Sequence, residues 1–102
     1  MSIKKQYLKS KPVCKVTFRL PKEAADSAKR VQVVGDFNGW GTDGHRMKRL
    51  KSGAFTTTID LDLNREYQFR YLIDGTNWEN DWDADRYVPT IYGGSENSVV
   101  VV

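Results

Sequence analysis

Tyr67-Gln68-Phe69-Arg70-Tyr71-Leu72-Ile73-Asp74-Gly75 sets a large apolar side chain at every second position and closes on an Asp-Gly pair. Side chains alternate across a β-strand with a period of two, so Tyr67, Phe69, Tyr71 and Ile73 share one face, with Gln68, Arg70 and Leu72 opposite. Both positions of Asp74-Gly75 tolerate positive φ, which makes the pair a favoured tight turn. The stretch reads as a strand buried on one face that runs into a hairpin.

The same period extends outward in both directions. Cys14, Val16, Phe18 and Leu20 alternate with Lys15, Thr17 and Arg19, and Pro21 ends the run. Lys22 to Lys29 is too short for an independent helix and reads as a loop. Val31 to Val34 forms a further strand closed by Gly35. Met47 to Leu50 and Ala54 to Leu61 flank Lys51-Ser52-Gly53, a hairpin turn, and Phe55, Thr57, Ile59 and Leu61 alternate behind it. Asn64-Arg65-Glu66 gives another turn, and Ser98 to Val102 the last strand. Roughly six or seven short strands without a convincing helix predict an all-β fold, a sandwich of immunoglobulin-like type. The expected division is a basic N-terminal arm over residues 1–12 and a single domain over 13–102.

A chain of 102 residues holds one domain and buries roughly two thirds of its unfolded surface. With 39% hydrophobic and 28% charged residues, it has the composition of an ordinary globular protein. Neither a signal-peptide run nor a membrane-length segment is present, which points to a cytoplasmic location and no membrane partner. The lone cysteine, Cys14, falls in the apolar register of its strand and reads as a buried structural thiol. Net charge is +3, with Lys4, Lys5, Lys9, Lys11 and Lys15 near the start and Glu79, Asp81, Asp83 and Asp85 near the end. Without a nucleic-acid fold signature the basic arm reads as a solvated tail, and no nucleic-acid partner is expected.

Val33-Val34-Gly35-Asp36-Phe37-Asn38-Gly39-Trp40 and Tyr71-Leu72-Ile73-Asp74-Gly75-Thr76-Asn77-Trp78 follow one plan: a strand, a turn, then a tryptophan on a loop. Such indoles either cap the core or form a stacking surface, and Asn38, Asn77 and Glu79 beside them supply hydrogen-bonding groups. A stacking surface suits a pyranose, whose axial C–H groups lie on an indole while its equatorial hydroxyls meet amides and cations. Trp82 has two readings, a packing anchor for its acidic loop or an extra ligand contact. Asp81-Trp82-Asp83-Ala84-Asp85 opens like a calcium loop, yet Arg86 and Tyr92 stand where such a loop needs glycine and glutamate, so no metal is expected. One histidine, His45, reads as a solvated loop residue, and no nucleophile sits in a catalytic context. The chain reads as a non-enzyme without cofactor.

Val34-Gly35-Asp36-Phe37-Asn38-Gly39-Trp40, Tyr67 to Gly75, and Glu96-Asn97-Ser98-Val99-Val100-Val101 together resemble the early-set, isoamylase N-terminal type of carbohydrate-binding module, family 48. That family includes the glycogen-binding domain of the AMP-activated protein kinase β subunit and small bacterial proteins made of this module alone. The resemblance implies an early-set, immunoglobulin-like sandwich that binds α-1,4-glucans such as glycogen, starch and maltooligosaccharides without catalysis. It also implies stacking by Trp40 and Trp78, a cationic contact from Arg70 in place of the family lysine, and a polar pair at Ser95 and Asn97. Tyr92, in a loop of altered length, is the candidate for the family's inserting leucine. Gly75 and Trp78 are separated by one extra residue, and Trp82 replaces a usual proline. The alternative implied by early-set domains is a protein-interaction module that partners a glucan-metabolising enzyme or kinase without binding sugar itself. Expected partners are therefore an α-glucan and, second, a glycogen-metabolising enzyme.

Overall fold

Residues 3–41, 44–90 and 94–102 are described by a computed structural model, in which two antiparallel sheets pack face to face as the expected immunoglobulin-like sandwich. The first sheet has the order β1 (Ile3–Tyr7), β2 (Val13–Leu20), β6 (Phe55–Asp62), β5 (Lys48–Arg49). The second runs β4 (His45–Arg46), β3 (Val31–Gly35), β7 (Glu66–Ile73), β10 (Glu96–Val101), β9 (Arg86–Pro89), and β8 (Asn77–Glu79) adds to β7.

The alternating sets seen in the sequence meet between the sheets. Cys14, Val16, Phe18 and Leu20 of β2 and Tyr67, Phe69 and Tyr71 of β7 are all buried, and Phe18 meets Phe69 edge-on with ring centroids 5.0 Å apart. Cys14 is fully buried, and desolvation, the largest influence on it, raises its thiol pKa. Gly35 is required by close approach rather than by its dihedrals. A Cβ there would sit 2.4 Å from the Gln68 carbonyl oxygen and 2.7 Å from the Phe69 Cβ, so any side chain would push β3 off β7.

Ile3–Tyr7 is a correction to the solvated tail expected of the basic arm. It pairs with β2 along its whole length as the edge strand β1, and Lys5 reaches Asp85 at 2.7 Å. Ile3 alone is buried in this strand, so period-two apolar patterning was absent from its sequence. Three further elements also escape the pattern: β4, β8 and β9 are two, three and four residues long and mostly exposed. Lys22–Ala24 forms a single 3-10 turn inside the expected loop. Among the described residues no helix is long and apolar enough to cross a membrane.

Candidate functional site

The outer face of the second sheet is built from the residues of β7 that the core does not use. Gln68, Arg70 and Leu72 point away from the sandwich, and their cross-strand neighbours follow from register. Val34 stands opposite Arg70, Val99 opposite Gln68, and Trp78 opposite Leu72. Val34, Leu72 and Val99 are buried although they lie on this outer face, so an apolar floor runs beneath a polar row.

That row is hydrogen-bonded end to end. Arg70 donates from Nε to Oδ1 of Asn97 at 2.7 Å, and Asn97 donates from Nδ2 to Oε1 of Gln68 at 3.0 Å. The Asn97 amide thereby fixes the plane of the Arg70 guanidinium and leaves its terminal N–H groups without a protein acceptor among the described residues. Trp78 stands at one end of the row and is 45% exposed. It lies in strand β8 rather than in the loop expected from sequence, because the Asp74-Gly75 turn folds Asn77–Glu79 back onto β7.

Trp40 is held differently. After β3 the chain makes a 3-10 turn over Asp36–Asn38 and passes through two left-handed residues, Gly39 (φ 66°) and Trp40 (φ 60°). A left-handed tryptophan is strained by roughly 1–3 kcal/mol, and several bonds hold it there. Its backbone N–H donates to the Gly35 carbonyl at 2.9 Å, and its indole Nε1 donates to Oδ1 of Asp36 at 2.8 Å. The other oxygen of Asp36 accepts the Gln68 backbone N–H at 2.8 Å, which fastens the Trp40 turn to the end of the polar row.

Several sequence expectations need adjustment. The Asn38 amide, expected beside the ring as a ligand group, is spent within the turn: Oδ1 accepts the Gly35 N–H, and Nδ2 donates to the Val33 carbonyl and to Nδ1 of His45. Glu79 accepts the Asn80 N–H. His45 is exposed as expected, but it lies in β4 rather than in a loop. Ser95 makes no hydrogen bond to the row among the described residues; its hydroxyl meets the Thr90 hydroxyl at 2.9 Å, and its carbonyl accepts the Thr90 N–H. Tyr92 lies outside the described residues.

Two residues escaped sequence reasoning. Gln68 alternates with Arg70 on the wet face of β7, and that register was the signal for it. Asp36 gave no signal, because its two partners lie 4 and 32 positions away. Asp81, part of the apparent acidic run, is 1% exposed and belongs to the scaffold. It accepts the Tyr71 hydroxyl at 2.6 Å and the Asp83 N–H at 2.8 Å, while its own N–H donates to the Ser98 hydroxyl. Burial first, then the adjacent Asp81 charge, raise the Tyr71 hydroxyl well above the ordinary phenol pKa. The loop so anchored presents Trp82, 56% exposed, with no side-chain partner among the described residues.

Asp74, at the turn before Trp78, accepts the Arg30 and Lys29 backbone N–H groups, which hold its carboxyl below the usual range, Arg30 contributing most. Among the described residues no group of three or more His, Cys, Asp or Glu is placed to hold a metal ion. The face offers flat indoles, an apolar floor, a fixed guanidinium and amides. Stacking surfaces, hydrogen-bond donors and amides of this kind are chemically suited to a neutral polyhydroxylated ligand.

Carbohydrate-binding module 48 (isoamylase N-terminal domain) is the family that matches residues 13–88, a span that takes in Trp40, Arg70 and Trp78 and stops short of Asn97. Among curated proteins the chain is similar to protein PTST homolog 2, chloroplastic, of Arabidopsis thaliana. The two are 30% identical over 78 residues, which is 76% of this chain and 13% of that protein. It is also similar to the 1,4-alpha-glucan branching enzymes GlgB of Butyrivibrio fibrisolvens and Bacillus cytotoxicus. These are 36% and 32% identical over 63 residues, 62% of this chain and 10% of each enzyme. The chain thus spans about a tenth of the length of the curated relatives it matches.

Proposed function

The chain belongs to the carbohydrate-binding module 48 family, and from that premise we propose that it binds α-1,4-glucans, without catalysis, on the outer face of its second sheet. Trp40 and Trp78 stack on glucose rings, and Arg70 and Asn97 fix the hydroxyls between them. The observation that carries this reading is the shared face. Trp78, Arg70 and Asn97 project from adjacent strands, and Asp36 ties the Trp40 turn to Gln68 in the same row. Two of the relatives are 1,4-alpha-glucan branching enzymes, which supports an α-glucan as the ligand class. An open surface with two stacking contacts supports a binding free energy of about −4 to −8 kcal/mol, millimolar to micromolar.

Isothermal titration of maltoheptaose and β-cyclodextrin into the wild type and Trp78→Ala tests the reading, with cellohexaose as control. Saturable binding of the α-glucans alone, lost in a variant that melts like the wild type, is the expected result. A folded wild type that gives no heat with any sugar sinks it. That outcome favours the second reading, a module that docks on a glucan-metabolising enzyme. Its support is that the matched segment makes up only 10% of each branching enzyme and so sits beside a much larger remainder.

A further inference from the structure

His45-Arg46-Met47-Lys48-Arg49-Leu50-Lys51 carries four Arg and Lys side chains within six positions, and no acid occurs from Gly44 to Ile59. The run crosses from the second sheet to the first, β4 to β5, and ends in the hairpin to β6. There it meets the segment that follows β2, and the two enclose a cleft of about 340 Å³ lined by Lys22, Asp26, Ser27, Arg49, Leu50 and Lys51. None of these residues belongs to the carbohydrate face described above.

The cleft gathers like charges that the fold does not neutralise. No ion pair among the described residues includes Lys22, Arg49 or Lys51. Two of the three cations are nevertheless positioned. The Arg49 guanidinium donates to the Ala28 carbonyl and lies 5.3 Å from the centroid of the Phe55 ring, so its planar fork is oriented before any ligand arrives. The Lys22 stem lies across Gly53, where a Cβ would come within 2.9 Å of it; glycine at the hairpin lets that side chain lie flat along the cleft wall. Holding cations together costs self-repulsion, which a bound anion removes.

We propose that this cleft binds a phosphate group, as free phosphate or as the phosphate ester of a small sugar. Three cations against one carboxylate leave two positive charges in the lining, and a phosphate monoester carries about −1.5 to −2 at neutral pH. The Arg49 fork and the two ammonium groups take the phosphoryl oxygens. Asp26 and the Ser27 hydroxyl are left to accept from sugar hydroxyls, and Leu50, 37% exposed, offers an apolar wall for a C–H face. The volume falls at the small end of the roughly 300–1,000 Å³ typical of ligand pockets, which fits a metabolite and not a polymer.

The test is a series of ¹H–¹⁵N correlation titrations of the full chain at low ionic strength with inorganic phosphate, glucose 1-phosphate and unphosphorylated glucose. A Lys22→Ser/Lys51→Ser variant is run in parallel, and maltoheptaose is titrated into both proteins. Both phosphate probes are expected to shift the Ser27, Arg49 and Gly53 amides saturably and glucose to leave them in place. The double variant should bind phosphate at least about tenfold more weakly, as two charge-assisted contacts are lost, while melting like the wild type and keeping its maltoheptaose affinity. Tighter binding of glucose 1-phosphate assigns the cleft to an ester, and equal binding to free phosphate. Shifts that do not saturate, that spread equally to Lys4, Lys9 and Lys15, or that persist in the double variant overturn the proposal. Loss of maltoheptaose binding in the wild type with the phosphate shifts intact overturns the glucan reading alone.

Discussion

Trp40 is held through its side chain, its indole tied to Asp36 in a left-handed turn, whereas Trp78 is held through its backbone, in a three-residue strand with no hydrogen bond to its indole among the described residues. The first is half-buried and the second 45% exposed. The difference separates two ways of presenting an aromatic platform. A ring fixed by its own polar edge is oriented before binding, and its supports can be broken one at a time. A ring carried by a hairpin keeps rotamer freedom and loses an amount of entropy on binding that the other has already lost in folding.

The strongest way to break the contrast is from beneath Trp40. Gly35→Ala places a methyl 2.4 Å from a backbone carbonyl and 2.7 Å from the Phe69 Cβ, contacts that no rotamer relieves. The expected cost is about 3 kcal/mol, at the upper end for overpacking, because the strands themselves must separate. Urea unfolding measures it. The Trp40 turn should loosen with β3, while β8, which among the described residues pairs with β7 alone, keeps its register. A variant as stable as the wild type would mean that β3 and β7 are not held as close as described.

On the other side, Tyr71→Phe tests what supports the region after Trp78. The hydroxyl donates to the buried Asp81 carboxylate at 2.6 Å, and losing that donor should cost about 1–3 kcal/mol. Trp78 is two residues from that loop but is set by its own pairing with Leu72, so maltoheptaose affinity should fall far less than stability. A pH series adds a second readout. Since the folded-state pKa of Tyr71 is raised, its contribution is fully present below the unfolded value of about 10 and is lost as the pH rises through the folded one. The wild type should therefore lose stability above about pH 10 more steeply than Tyr71→Phe. Equal alkaline slopes would count against the burial of that hydroxyl.

The contrast between the tryptophans also marks how far the sequence was legible. Strands β2, β6 and β7 are visible because they alternate buried and exposed residues over most of their length, and period two records that directly, whereas β3 and β10 are visible as short valine-rich runs buried on both faces. Strand β1 is hidden because its partner for Lys5 is Asp85, 80 positions away, and a partly covered, ion-paired lysine looks like a solvated one in sequence. Strands β8 and β9 are too short and too exposed to show a period. At the candidate site, Trp40, Arg70, Trp78 and Asn97 are legible from the resemblance and from the alternation of β7. Asp36 and Asp81 are not, since a carboxylate's role follows from which N–H or O–H groups the fold brings to it. In sequence Asp81 is one of four neighbouring acids, and only its contacts with Tyr71 and Ser98 in the fold set it apart.

Asp36→Asn is the finest probe of the two modes. The amide oxygen can still accept from the Trp40 indole or from the Gln68 N–H, but the amide nitrogen then faces the other donor, so one of two 2.8 Å bonds is lost. The fold keeps Gly35 and the Asn38 clip, and stability should change by less than about 1 kcal/mol. The indole, no longer gripped at both ends of its support, gives back part of the preorganisation that distinguishes it from Trp78. Maltoheptaose affinity should weaken by about three- to tenfold, corresponding to about 0.7–1.4 kcal/mol. Titration calorimetry on the wild type, Asp36→Asn and the double variant with Trp78→Leu tests this directly. An unchanged single-variant affinity would mean that Trp40 needs no such tether and that the two tryptophans are presented alike. A weakened one places the rigidity of the site in a carboxylate that touches no sugar.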